Sequence, residues 1–299
     1  MRRMEGIRSL FKSGFTKESR RMEFLVHYDK AMRFLPRART IYDVETTFGT
    51  VRIYYYASKG SEEKVPLILL HGHYASTIMW QPNLLPLSER TPVYSVDLLG
   101  EPGRSRLSKP LWKDKDHAAW LKEVMGKLEI SSAILMGSSM GGYYAVNFAR
   151  YYPEMTEGLI LLDPVFVFSG VSAHTVKEFV RMGFSKDKMI PFLLNRKDFP
   201  FKDTLGKSIT LGLKYFRFRS PVPRRIPEKD LRNLKIPVLA LMAGNSLLHD
   251  AEKAFQYGRK VVPSIEMEYW KNASHALSFT ESDEVNERIL SFLLAHFDL

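Results

Sequence analysis

Five short apolar runs, each bounded by turn residues, constrain this chain more than any other feature. They are Val65–Leu70, Pro92–Val96, Ser132–Met136, Gly158–Leu162 and Pro237–Met242. Near-continuous apolar runs of this length suit strands buried on both faces, as in a parallel sheet. Helix-patterned stretches alternate with them at His117–Leu128, Ser139–Tyr152, Ala251–Val261 and Asp283–Phe297. Alternating β and α predicts an α/β fold, a mostly parallel doubly wound sheet with helices on both faces. From Tyr42, the stretch YDVETTFGTVRIYYY, broken at Gly49, reads as a strand pair with a tight turn. Upstream, Leu25, Tyr28, Met32 and Leu35 recur at helical spacing, with Met22 extending the stripe. They predict an amphipathic helix over 18–35, stopped by Pro36, within a basic arm of residues 1–40. The core is assigned to 41–163 and 233–299. Residues 164–232 break the rhythm with aromatics, scattered Pro and no clear buried strand, and read as a mainly helical cap inserted over the strand ends.

The chemistry concentrates at Met136-Gly137-Ser138-Ser139-Met140-Gly141-Gly142. Gly137-x-Ser139-x-Gly141 falls between a strand and a helix, the setting of a nucleophile elbow. A strained serine there shows its hydroxyl at the carboxyl edge of the sheet and at a helix N-terminus, where negative charge is stabilised. A second loop, His71-Gly72-His73-Tyr74, follows the buried run ending at Leu70. Acyl transfer needs two N–H donors aimed at the developing oxyanion. The backbone N–H groups of Met140 and His73 are the candidates for this oxyanion hole, and the His71 side chain is read as structural. A third piece, Asn272-Ala273-Ser274-His275, lies after the strand-like Ile265–Trp270 and before the last helix. His275 is therefore the candidate general base. His27, His117 and His174 are read as structural or solvent-facing, and His249 and His296 as lacking the right loop position.

These three pieces, in this order over about residues 42–299, resemble the α/β-hydrolase family. Asp97-Leu98-Leu99-Gly100 and the closing helix through Phe292 fit the same pattern. Within the family the chain resembles the cap-bearing, carboxylesterase-like serine hydrolases. A serine at the elbow, where an aspartate would serve haloalkane dehalogenase or epoxide hydrolase chemistry, argues against those two. The resemblance implies a Ser–acid–His triad. Its acid usually follows the seventh strand, yet Ser246 or Leu247 stands there. Two candidates remain. Asp163, at the end of the sixth strand, is preferred; Asp250 is the alternative, and a helix N-cap is its plainer role. Asp97 and Glu281 are read as loop-structuring. Tyr74, Trp80, Phe166 and Phe168 are candidates to line a substrate pocket, with core packing the competing role for each.

Composition narrows the chemistry further. Among 299 residues there is no cysteine, which excludes a disulfide scaffold, a thiolate nucleophile and a Cys-ligated zinc or iron–sulfur site. It also fits a reducing, cytoplasmic setting. No apolar run approaches the ~18 residues of a membrane span, and no secretory signal is evident. No metal or organic cofactor is implied. The net charge of +11 is uneven: residues 1–40 carry +7 and 164–232 carry +9, while 41–163 and 233–299 are slightly acidic. No nucleic-acid recognition motif lies in the basic segments. The charge is read instead as anionic-substrate steering or peripheral membrane-surface contact through arm or cap. A serine carboxylesterase acting on a small or medium ester is the leading function. A lactonase, thioesterase, amidase or acyltransferase would use the same parts, and a binding or signalling protein retaining a hydrolase pocket is the alternative outside catalysis.

Overall fold

A computed structural model describes residues 13–181 and 204–298. The main sheet contains β1 (Thr40–Thr46), β2 (Gly49–Tyr56), β3 (Leu67–Leu70), β4 (Val93–Val96), β5 (Ala133–Ser138), β6 (Thr156–Leu162), β7 (Val238–Ala243) and β8 (Ile265–Trp270). Their order is β1-β2-β4-β3-β5-β6-β7-β8. From β4 to β8 every neighbouring pair is parallel, whereas β1–β2 and β2–β4 are antiparallel. The apolar runs explain the arrangement. Every residue of β3, β5 and β7 is buried, while edge strand β8 is half-buried throughout. Glu266 and Glu268 of β8 pair with Arg288, which keeps that edge charged.

Eight helices concern the argument: α1 (Glu18–Met32), α2 (Gln81–Ser88), α3 (Asp114–Lys127), α4 (Met140–Tyr151), α5 (Ala173–Arg181), α6 (Thr204–Tyr215), α7 (Ala251–Val261) and α8 (Ser282–His296). Alternate strand residues feed two cores. Ile68, Leu70 and Leu135 pack with Met125 of α3, Phe148 of α4 and Ala254 of α7. Leu67, Leu69 and Ile134 pack on the other face with Tyr28 of α1, Leu84 of α2 and Phe292 of α8. Helices on both faces bury both sides of each central strand, so no face of the sheet needs polar residues.

The helix near the N-terminus is part of this core. Phe24, Leu25, Tyr28, Ala31 and Leu35 are buried, each large one contributing roughly 1.5–3 kcal/mol. Met22 falls outside this face and is exposed, and the helix ends at Met32, short of Leu35. The Tyr28 hydroxyl donates to buried Asp97 (2.8 Å), whose carboxylate also accepts the Thr77 and Arg104 backbone N–H groups. Thus α1 is latched to the loop after β4. It also meets the inserted segment. Gly14–Phe15 pairs antiparallel with Phe216–Arg217, Arg20 donates to the Tyr215 hydroxyl (2.9 Å), and the Arg219 N–H donates to Ser13 Oγ (2.8 Å). The two basic segments, distant in sequence, therefore touch in space. Parts of both, residues 1–12 and 182–203, lie outside the described residues. No helix among the described residues is long and apolar enough to cross a membrane.

Candidate active site

Ser139 sits between β5 and α4 with φ 54° and ψ −118°, a conformation that costs a non-glycine residue on the order of 1–3 kcal/mol. Its surroundings impose that conformation. A Cβ on Gly137 would overlap the Gly141 carbonyl, and one on Gly141 would overlap the Leu70 carbonyl at the end of β3. Only glycine lets strand, turn and helix approach so closely. The Ser139 N–H donates to the Leu162 carbonyl (2.9 Å), and the Ser139 carbonyl accepts from Gly142 (3.1 Å) and Val165 (3.3 Å). The strained residue is thereby tied to the end of β6.

The loop after β8 brings in His275. It is fixed to the loop after β7, since the Asn245 N–H donates to the Ala273 carbonyl (3.0 Å). His275 Nε2 lies 2.9 Å from Ser139 Oγ, and Nδ1 lies 2.6 Å from Asp163 Oδ2. An ionised carboxylate only accepts, so Nδ1 carries the proton and Nε2 is left to accept from the serine hydroxyl. Asp163 is fully buried at the end of β6. Its Oδ1 accepts from the Ala243 N–H (3.1 Å) and from His249 Nε2 (2.8 Å). Burial acts to raise its pKa, but the attraction and hydrogen bonds of His249 and His275 outweigh this and hold it well below the usual carboxylate range.

The structure thus brings Ser139, His275 and Asp163 into one hydrogen-bonded chain. Asp250 stands apart. Its carboxylate accepts the Lys253 N–H (3.1 Å) and pairs with the Lys253 ammonium (2.8 Å), capping α7. Its contacts are to Lys253, and the hydrogen bond to His275 is made by Asp163. His249 needs the opposite correction. Read as lacking the right loop position for the base, it is nonetheless buried against Asp163. The run Leu247-Leu248 carries it inward, and the signal was its position beside the empty acid site after β7.

The oxyanion candidates flank the serine. Met140 is the first residue of α4, so its N–H has no intrahelical acceptor. In the loop after β3, Gly72 faces Ser139. Beside it, Glu101 organises the chain: Oε1 lies 2.6 Å from His73 Nδ1, and Oε2 accepts the Tyr74 N–H (3.0 Å). Glu101 is only 3% exposed and was not singled out in the sequence. It follows Gly100 in a loop whose spatial neighbour His73 is 28 residues away, which no local pattern reveals. His71 is buried and its pKa is lowered by that burial. Its Nε2 accepts the Leu98 N–H (3.0 Å) and its Nδ1 donates to the Gly72 carbonyl (2.8 Å), so it is a neutral brace for the loop.

The four aromatic candidates divide. Trp80 is fully buried and packs with the α1–α2 side of the core, and Phe168, 2% exposed, packs in the opposite one. Both rings serve core packing, which corrects their assignment to a pocket wall. Phe166 (φ 58°) is half-buried and its carbonyl accepts the Ile226 N–H (2.8 Å) at the root of the insertion. Tyr74 lines a small, partly open pocket with Met79, Ile78, Ser208 and Ile209, between the loop after β3 and α6. Among the described residues, no group of three or more His, Asp or Glu is arranged to hold a metal.

Comparison with known proteins agrees with this architecture. Residues 67–288 match the model of the alpha/beta hydrolase family. The chain is 28% identical to carboxylesterase YbfK of Bacillus subtilis over 91% of this chain and 94% of that protein. It is 27% identical to the uncharacterized carboxylesterase nap of the same organism, over 90% and 91%. The crystal structure of carboxylesterase CesB (YbfK) superposes with a TM-score of 0.84, covering 92% of this chain and 98% of that one. That of the naproxen esterase from B. subtilis, 25% identical, gives 0.82 over 91% and 97%. On sheet order, serine elbow and family match together, the chain belongs to the alpha/beta hydrolase family.

Proposed function

We propose that this chain is a serine carboxylesterase that cleaves a small or medium ester through an acyl-enzyme on Ser139. The observation that carries the reading is the hydrogen-bonded chain from Ser139 Oγ through His275 to Asp163 Oδ2. It is supported by the carboxylesterase relatives aligned over nine-tenths of the chain. Ser139 Oγ attacks the ester carbonyl as its proton passes to His275 Nε2. The N–H groups of His73 and Met140 hold the resulting oxyanion, with Glu101 fixing the first of these loops. His275 returns the proton to the departing alkoxide. A water then attacks the acyl-enzyme by the same route and releases the acid. Asp163 holds the Nδ1–H tautomer and stabilises the charged imidazole. Tyr74 and Phe166 are the remaining candidates to contact substrate.

Labelling of Ser139 by a fluorophosphonate, with turnover of short p-nitrophenyl esters, is the expected result. Absence of both, with tight binding of a small molecule, would favour the receptor reading instead. The cysteine-free composition supports a cytoplasmic setting. One further surface supports peripheral contact with anionic lipid. On and beside α1, Met22, Val26 and Phe34 are 53%, 51% and 62% exposed, and Lys30 and Arg33 are exposed with them. Cosedimentation with phosphatidylglycerol vesicles but not with phosphatidylcholine vesicles is the expected outcome.

A further inference from the structure

Asp163 serves two histidines, and only one of them has a part in the mechanism above. His249 approaches from the side opposite His275. Its side chain is 1% exposed and its Nε2 lies 2.8 Å from Asp163 Oδ1. The facing atom is a carboxylate oxygen, so Nε2 carries a proton and donates it. The other ring nitrogen, Nδ1, lies 3.1 Å from Ser169 Oγ, which completes the ring's bonding. Ser169 belongs to the start of the inserted segment. The same stretch is fastened to the loop carrying His249, because the Ser172 N–H donates to the Leu248 carbonyl (2.8 Å) and the Thr175 hydroxyl bonds the Leu247 carbonyl. The ring is thus oriented by the root of the insertion and points at the acid.

We propose that His249 is a positioning residue for the triad, fixing the rotation of the Asp163 carboxylate and setting the basicity of His275 from the far side of that acid. The inference rests on the triad reading of Ser139, His275 and Asp163. Two observations carry it. Among the described residues, Oδ1 has one other donor, the Ala243 N–H at 3.1 Å, so His249 is a main constraint on how the carboxylate turns. And one carboxylate divides its charge between two imidazoles, so each affects the other's hold on a proton. The ionisable groups facing His249 are Asp163, His275 across it, and its neighbour Asp250, which is itself paired with Lys253.

The sign follows from electrostatics. An N–H donor stabilises the carboxylate's negative charge and weakens its pull on His275. Removing the donor makes the carboxylate a stronger partner for His275 and raises the pH at which His275 loses its proton. His249→Leu is expected to lower kcat about tenfold, the size of one lost hydrogen bond to a charged group, with KM within twofold. The acidic limb of kcat/KM should move up by about half a pH unit to one unit. His249→Gln keeps an N–H donor and is expected to recover most of kcat and to return the limb toward its original position.

The titration of His275, followed by NMR of its imidazole signals, reads the same coupling without turnover. An unmoved His275 midpoint in a folded His249→Leu protein would overturn the proposal. So would equal losses in the Leu and Gln variants with unmoved midpoints, which mark a purely structural histidine. If the wild type neither hydrolyses esters nor takes the fluorophosphonate, the esterase reading fails. The His275 midpoints in wild type and variants would still decide whether His249 is coupled to it.

Discussion

The carboxyl end of the sheet and the layer made by arm and insertion are held together by different physics. Around Ser139 the chain is fixed by hard overlap, since side chains on Gly137 or Gly141 would run into backbone carbonyls. Ser139 and Asp163 are also tied to strand ends, through the Leu162 carbonyl and the Ala243 N–H. The outer layer is held by apolar packing of Phe24 with Leu211 and Tyr215, and at its rim by a two-residue strand pair, a Tyr215 hydroxyl shared by Arg20 and Glu23, and the Ser13 contact. A side chain on Gly14 would meet nothing within 4 Å. The contrast separates chemistry from recognition. The reacting groups sit where small displacements are forbidden, and the groups around them sit where the chain has latitude.

Substitutions at the two ends of this contrast should differ by orders of magnitude. Ser139→Ala is expected to lower kcat by ~10⁴–10⁶-fold with little change in the melting temperature, measured on p-nitrophenyl butyrate. Asp163→Asn should lower kcat by ~10⁴-fold, because the amide disturbs the His275 tautomer. Asp250→Asn, assayed alongside, should leave kcat within about twofold, since Asn also caps a helix. Equal effects at the two positions would break the assignment of the acid.

The glycines sharpen the same comparison in stability. Gly141→Ala should cost more than ~3 kcal/mol or prevent folding, through backbone overlap, while Gly14→Ala should change the denaturation midpoint by less than about 0.5 kcal/mol. A smaller effect is expected from Tyr215→Phe. It removes a partly exposed hydrogen bond of about 1 kcal/mol and should change KM for bulky esters more than kcat. Equal changes in KM and kcat would mean that the outer layer bears on the chemistry itself.

Acid tests a part of the core behind α4. His117 stacks on Tyr144 (ring centroids 4.8 Å apart), and its pKa is lowered from 6.5 to about 4, chiefly by burial, against the pull of Asp114, Asp116 and Glu101. Between those two values the unfolded chain binds a proton that the folded chain does not. Stability should therefore fall as pH drops from 6.5 to 4. Asp163 has the opposite chemistry but the same direction. Its depressed pKa adds stability above the ordinary carboxylate value, and that contribution is lost as pH falls through the folded value. His117→Gln should flatten the fall between pH 6.5 and 4 while leaving the steeper loss at lower pH, as read from melting temperature against pH.

The fold was legible because each strand is a local apolar run, and the elbow because glycine spacing is local too. Ser139, His275 and the loop of His73 announced themselves by order along the chain. Asp163 and Asp250 were separated only by packing: both end a segment beside a turn, and nothing within ten residues of either says which faces His275. His249 and Glu101 escaped for a related reason. Each acts on a partner far away in sequence, His249 on Asp163 86 residues off and Glu101 on His73. Trp80 and Phe168 show the reverse limit. Aromaticity marks a residue suited to a pocket wall or a core, and only the neighbours decide between them.

The pairing of Gly14–Phe15 with Phe216–Arg217 also bears on the order of assembly. Arg20 and Tyr215, which seal it, are 195 residues apart. Closing so long a loop loses chain entropy that a few hydrogen bonds do not recover unless the intervening strands are already in place. That strand pair therefore forms over a finished sheet, late as the chain folds, and with few bonds of its own it should exchange its amide protons before α1, whose Phe24 and Tyr28 are buried in the core.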